Sequence, residues 1–170
     1  VTDVANAVFE QTDAIMLSGE TSVGKYPVRS VETLVRIARR TENYPGVNYT
    51  EKLIKKSKGQ HLAEAAIQIA TKLIIRAIVV ITRNGRGAEY LSNLRPFEIG
   101  LYSFTNNSKV FSSMTLYRSV YPFLMEFRKN PEDTIQNALR ILKEKEGFAT
   151  EEQVVVLANL ITGEGYSTSL

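Results

Sequence analysis

Two stretches of this 170-residue chain combine residue types from which an anion site can be built. One is Thr82-Arg83-Asn84-Gly85-Arg86-Gly87-Ala88, which follows the apolar run Ala77 to Ile81 and opens a helical pattern. Its glycines permit positive φ, so successive backbone N–H groups can form a nest, and the positive end of a helix dipole favours negative charge there. Thr82, Arg83, Asn84 and Arg86 add side-chain donors suited to phosphate oxygens. The same residues also suit a tight strand-to-helix turn with solvated arginines, and composition alone leaves both readings open. Asn84-Gly85 is also a two-residue hairpin signal, but the helical pattern after it argues against a hairpin.

The other stretch is Leu17-Ser18-Gly19-Glu20-Thr21-Ser22-Val23-Gly24-Lys25-Tyr26-Pro27. It lies between the apolar run 13–18, which reads as a buried strand, and a helix that Pro27 can open. Loops at the carboxyl ends of strands carry the sites of parallel α/β folds. Gly24-Lys25 invites a phosphate-loop reading, which fails because Tyr26 stands where Ser or Thr is required. Pro27 also offers no N–H to an anion. A plain structural turn is the competing reading.

Other chemistry is poorly represented. With no cysteine, disulfides, thiolate metal sites and thiol nucleophiles are excluded, a pattern that fits a reducing compartment. His61 is the single histidine and has no evident metal or triad partners. No metal site is expected. Lys plus Arg number 21 against 18 acids, with residues 1–50 at net −1 and 51–170 at net +4. The one dense basic run, Lys52, Lys55, Lys56 and Lys58, follows the turn-like Tyr44-Pro45-Gly46-Val47-Asn48 and reads as a solvated connector. Tyr117, Tyr121, Phe123 and Phe127 are spaced for packing rather than for stacking bases, so no nucleic-acid partner is expected. Apolar runs such as Ala77–Ile81 fall far short of the roughly 20 residues a membrane span needs.

The elements that must position these loops alternate. Helices are expected over 27–40, 60–75, 86–93, 107–117 and from Asn130-Pro131 to a stop at Gly147; strands over 77–82, 99–104, 120–126 and 153–158. In the 60–75 helix, Leu62, Ala65, Ala66, Ile69, Ala70 and Leu73 share the apolar face. Glu151 and Glu152 are expected in solvent. From residue 60 onward the alternation predicts an α/β fold, an open, mostly parallel sheet covered by helices. A complete (β/α)₈ barrel, at about 250 residues, is too long for the chain.

Residues 2–27, with Asp3-Val4-Ala5-Asn6-Ala7-Val8 and Thr12-Asp13-Ala14-Ile15-Met16-Leu17-Ser18-Gly19-Glu20-Thr21-Ser22-Val23-Gly24-Lys25-Tyr26-Pro27, resemble pyruvate kinase. The chain departs at Ser22, where the family usually has Ala. Ala77–Thr82, Asn93-Leu94-Arg95-Pro96 and Leu116–Pro122 extend the resemblance into the family's C-terminal domain. The resemblance implies a C-terminal piece of such an enzyme: 1–45 a remnant of the (β/α)₈ barrel with its eighth strand and helix, 46–59 a linker, and 60–170 an α/β regulatory and oligomerisation domain. It implies phosphate transfer from phosphoenolpyruvate to ADP with Mg²⁺ and K⁺, in a cytoplasmic tetramer. The family's catalytic Lys, metal-binding Glu and Asp and phosphate-binding Arg lie upstream of Val1. Ser18, Glu20 and Lys25 are what remains on the nucleotide side. The piece alone is therefore expected to be inactive and to bind no metal.

By the same resemblance, Thr82 to Gly87 (Thr82, Arg83, Asn84, Gly85, Arg86, Gly87) form the loop that cradles an effector phosphate. Asn84 and Gly87 stand where hydroxyls are common, and each lost hydroxyl removes a donor worth about 1.5–3 kcal/mol against a charged oxygen. The tail from Leu160 departs further. The second effector loop and closing strand are expected to be shortened or missing, and Glu164 would repel a bisphosphate. Two other readings compete: a non-enzymatic phosphate-binding regulatory module, and a pure oligomerisation domain.

Overall fold

The structure, a computed structural model, describes residues 1–44, 46–47, 49–162 and 165–169, with side chains through Ala158 except that of Glu51. The chain divides into two compact units, Val1–Leu53 and Ile54–Leu170.

In the first unit, helices α1 (Thr2–Phe9), α2 (Gly19–Ser22) and α3 (Pro27–Thr41) are followed by a single 3₁₀ turn, Tyr49–Lys52. Pro27 occupies the first turn of α3, as its fixed φ favours. Both α1 and α2 pack against α3. The strand expected over 13–18 does not form; those residues are irregular, and Met16 is 86% exposed. A strand exists only through a ladder with neighbours, and 1–53 contains no other strand among its described residues. For the same reason the apolar side of α3 remains open: Val28, Val31 and Val35 are all exposed. None of these three helices has a buried residue. The stretch 46–59 is not uniform, since it holds the 3₁₀ turn and the first residues of the next helix; Pro45 and Asn48 lie outside the described residues.

The second unit begins with α4 (Lys58–Lys72) and continues as β1 (Ala77–Ile81), α5 (Arg86–Asn93), β2 (Gly100–Thr105), α6 (Ser108–Met114), β3 (Val120–Leu124), α7 (Pro131–Glu146), β4 (Val155–Thr162) and β5 (Gly165–Ser169). The strands form one sheet in the order β3-β2-β1-β4-β5. β1 to β4 are mutually parallel; β5 runs antiparallel to β4. The open, mostly parallel α/β architecture expected from the alternation is therefore present. All five residues of β1 are buried, as a central strand covered on both faces requires.

Alternation along β1 divides the core. Ile78 and Val80 pack with Ala63, Ala66 and Ala70 of α4, Ala88 and Leu91 of α5 and Met114 of α6. Val79 and Ile81 point to the opposite face, with Phe104, Ala138 and Leu142. That second face is covered by α7 and by an aromatic group in which Tyr102 stacks on Tyr121 at 5.2 Å and Phe104 on Phe123 at 4.9 Å.

Three expectations need correction. First, α4 starts earlier than residue 60, because Ser57 and Gln60 form a reciprocal capping box. Its buried side is Ala63, Ala66 and Ala70, while Ile69 and Leu73 are exposed. The small alanines let the helix lie close to the sheet, which turns the larger residues outward. Second, α6 is shorter than 107–117; Asn107 is its cap and accepts from the N–H groups of Lys109 and Val110. Third, the closing strand is not missing: β5 pairs with β4 from Thr162–Gly165 to Ala158–Ser169. A two-residue connection suffices for an antiparallel pair. Gly163 and Glu164, and with them the expectation about an effector loop there, lie outside the described residues. The Asn130 cap, Pro131 start and left-handed Gly147 stop of α7 are as expected.

Tyr102 carries a pH-dependent contribution to stability. Burial raises its pKa above 10.0, and Glu146, Tyr121 and Glu152 raise it further. The folded state thus holds the phenolic proton more tightly than the unfolded chain. This contribution is fully present below pH 10 and is lost as pH rises through the raised value. Tyr102→Phe should therefore lose stability less steeply than the parent between about pH 9 and pH 11, read from urea midpoints. Parallel curves for the two proteins would contradict it.

Candidate functional site

The strand order fixes where a ligand can enter. From β1 the chain moves outward to β2 and β3, then returns through α7 to β4 on the other side of β1. The switch point lies at the carboxyl ends of β1 and β4, where connections diverge and leave a crevice. A cavity of about 330 Å³ lies there, walled by Val80, Ile81 and Leu157 and rimmed by Thr82, Asn84, Arg86 and Gly87. Its volume falls in the range of small-molecule sites, about 300–1,000 Å³.

The rim is a pre-formed turn. Thr82 is buried; its N–H donates to the Phe104 carbonyl at 2.9 Å, while its Oγ1 accepts from the Gly85 N–H at 3.0 Å. The Thr82 hydroxyl donates to Asn84 Oδ1 at 3.4 Å, and that oxygen accepts from the Arg86 N–H at 3.2 Å. Two N–H groups of the expected nest, those of Gly85 and Arg86, are therefore already taken. The N–H groups of Gly87 and Ala88, in the first turn of α5, have no partner among the described residues. The anion-binding capacity of the turn is thus concentrated at the helix start rather than spread along the loop.

A side chain would be strained at one of these glycines and crowded at another. Gly85 has φ +79°, and a Cβ there would lie 3.2 Å from Val110 Cγ1. A Cβ at Gly87 would lie 3.0 Å from Val80 Cγ1. At 87, where the resemblance led one to expect a hydroxyl, a side chain fits only if Val80 gives way by a few tenths of an ångström.

The sequence-derived residues do not all converge. Thr82, Asn84, Arg86 and Gly87 line the cavity. Arg83 instead places its guanidinium 5.2 Å from the centre of the Phe127 ring. Ser18, Glu20 and Lys25 belong to the first unit and are exposed. There, Glu20 accepts from the Ser18 N–H at 3.2 Å and Lys25 lies 5.4 Å over the Tyr26 ring.

The cavity also has a wall that sequence reasoning missed: Ser57, Lys58 and Gly59 at the start of α4, Leu62 of α4, and Tyr90 of α5. The available signal was the capping box Ser57-x-x-Gln60, which marks a second helix N-terminus. Only the packing of α4 against α5 brings it to the cavity. Among the described residues no group of three or more His, Asp or Glu side chains could hold a metal ion.

Fold and cavity together define a doubly wound α/β domain with a ligand-sized crevice at its switch point. Comparison with known proteins narrows that class. Residues 60–170 match the family model for the pyruvate kinase alpha/beta domain, and residues 1–31 match that for the pyruvate kinase barrel domain. The chain belongs to the pyruvate kinase family. It is 39% identical over 160 residues to pyruvate kinase isozyme G, chloroplastic, of Ricinus communis, covering 92% of this chain and 38% of that protein. Plastidial pyruvate kinase 3, chloroplastic, of Arabidopsis thaliana is 36% identical, with 92% of this chain and 28% of the relative covered. A pyruvate kinase of Lactobacillus delbrueckii subsp. bulgaricus is 33% identical over 177 residues, covering the whole chain and 30% of the relative. The chain thus spans between 28% and 38% of the length of these relatives.

Proposed function

We propose that this chain supplies the regulatory and assembly part of a pyruvate kinase, an enzyme that transfers phosphate from phosphoenolpyruvate to ADP in glycolysis, and that its cavity takes a phosphorylated small-molecule effector. The observation that supports an effector site is the convergence of Arg86 with the unpartnered N–H groups of Gly87 and Ala88 at a switch-point cavity. An anion there gains charge-assisted hydrogen bonds and the favourable end of a helix dipole. Calorimetric titration of the chain with phosphorylated sugars and AMP tests it; absence of heat from all of them reduces the loop to a turn.

In this reading the chain has no kinase activity by itself. Phosphoryl transfer depends on holding donor, acceptor and metal in line. The described residues of 1–53 provide three helices without a buried core, and no carboxylate cluster for Mg²⁺. In this reading Mg²⁺ and K⁺ act in the whole enzyme and are not expected to be bound by this chain alone. Turnover of phosphoenolpyruvate and ADP by the purified chain, in a lactate dehydrogenase-coupled assay, should be indistinguishable from a blank. A rate that scales with chain concentration would refute the proposal.

Self-association into a tetramer belongs to the same reading. Its support is the exposure of Ile74, Phe97 and Leu116, at 85%, 77% and 63%. Light scattering across a concentration series decides it, since a monomer at every concentration removes an assembly role for this chain. A cytoplasmic location is proposed as well. No helix among the described residues is long and apolar enough to cross a membrane. Two plant relatives are named chloroplastic, so cell fractionation distinguishes the compartments.

A further inference from the structure

Asn84-Gly85, on the rim of the effector cavity, is the only Asn-Gly step in the chain. Such a step cyclises readily, because the glycine nitrogen can approach the asparagine side-chain carbonyl with no Cβ beside it to obstruct the path. The turn holds the groups which that reaction uses. The Gly85 N–H, whose nitrogen is the nucleophile, donates to Thr82 Oγ1 at 3.0 Å. The Thr82 hydroxyl in turn donates to Asn84 Oδ1 at 3.4 Å. One hydroxyl therefore connects the proton that must leave with the oxygen that must receive one. The Arg86 N–H also donates to Asn84 Oδ1, at 3.2 Å, the atom on which negative charge develops during attack. Thr82 is buried, which fixes the relay, whereas Asn84 is exposed, so water reaches its side chain and ammonia can escape. Asn107 is an internal control: its Oδ1 also accepts two N–H groups, from Lys109 and Val110, but Ser108 follows it in place of glycine.

We propose that Asn84 is a site of self-modification, at which the chain converts its own side-chain amide to a carboxylate with water as the only reactant. The Gly85 nitrogen bonds to Asn84 Cγ and gives its proton to Thr82 Oγ1, whose own proton passes to Asn84 Oδ1. The tetrahedral centre then re-forms its carbonyl, the proton on Oδ1 moves to the side-chain nitrogen, and ammonia leaves. Water adds to one carbonyl of the resulting succinimide and breaks its bond to the Gly85 nitrogen. Opening at Cγ gives aspartate; opening at the main-chain carbonyl gives an iso-aspartyl link.

Either product sets a new carboxylate on the cavity rim, where Arg86 also lies. That carboxylate opposes an anion bound there, a consequence that rests on the effector reading; the covalent step does not.

The test is to age the 170-residue chain in H₂¹⁸O at neutral pH, cleave after glutamate to release residues 65–89, and locate the label by mass spectrometry. Label should enter at residue 84 and not at Asn107. Thr82→Val, which removes the relay, should slow the folded chain by about 100-fold, the low end of what positioned proton transfer contributes. Thr82→Ser, which keeps the hydroxyl, should retain most of the rate. In guanidinium chloride, where the turn is lost, all three chains should age alike. A folded parent that keeps Asn84 intact while the unfolded chain converts overturns the proposal. So does an undiminished rate in Thr82→Val, or equal slowing by Thr82→Val and Thr82→Ser. Asn84→Asp, titrated with inorganic phosphate, should bind it about tenfold more weakly than the parent. A parent that modifies Asn84 yet binds no phosphorylated ligand refutes the effector reading and leaves the covalent step standing.

Discussion

Phe104→Ala should destabilise the 54–170 unit by about 3–5 kcal/mol, the usual cost of removing a buried aromatic ring. Phe104 has no solvent exposure, stacks on Phe123 at 4.9 Å and lies in register with Ile81 on one side and Phe123 on the other. Its ring belongs to the core face that α7 covers, so truncation leaves a void between two layers of regular structure that cannot close without moving a strand. The consequence extends to the site, because the Phe104 carbonyl accepts the Thr82 N–H at the end of β1. Urea unfolding followed by circular dichroism measures it, with the midpoint falling and the slope retained. A loss below about 1 kcal/mol would mean that Phe123 and Met125 refill the space, well outside the range for such voids.

Arg86→Ala should lower the affinity for a phosphorylated effector by about 10- to 100-fold while leaving the chain folded. Arg86 is exposed and lines the effector cavity, and it sits one residue before the unpartnered N–H groups at the start of α5. Arg83→Ala should have little effect on the same affinity, because the Arg83 guanidinium lies over the Phe127 ring. The two arginines are three residues apart and identical in charge, so the pair separates directed contact from general electrostatics. Calorimetry with an effector that binds the parent chain reads both variants. Equal losses from both would mean that the loop acts only through net charge; no loss from Arg86→Ala would place the phosphate elsewhere.

The parts of this structure legible in the sequence are those governed by local chemistry. The α7 start at Asn130-Pro131 and its stop at Gly147 follow from capping and from a left-handed residue, each decided within a few positions. The Ala77–Ile81 strand is legible because a β-branched run covered on both faces has few alternatives. The loop Thr82–Gly87 could be located for the same reason: it joins two elements with strong local signals. Residues 13–18 show the limit. Their composition suits a buried strand, yet a strand is made by its neighbours' N–H and C=O groups, and 1–53 has none to offer among its described residues. In α4 the periodicity places Ala66 and Ala70 on the buried face, as the structure does, but also Ile69 and Leu73, which are exposed. The sheet selected Ala63, Ala66 and Ala70, which allow the closer approach.

The site divides in the same way. By itself the sequence determined the family, the alternation of strands and helices, and the turn that offers backbone N–H groups, since each is written in contiguous residues. Only the tertiary structure decided that Arg86 faces the cavity while Arg83 does not, and that Gly85 and Arg86 spend their N–H groups inside the turn. It alone brought Ser57–Gly59 and Tyr90 to the cavity wall. Side-chain direction and long-range neighbours depend on how layers pack, and packing is a property of surfaces that meet across many residues of intervening chain.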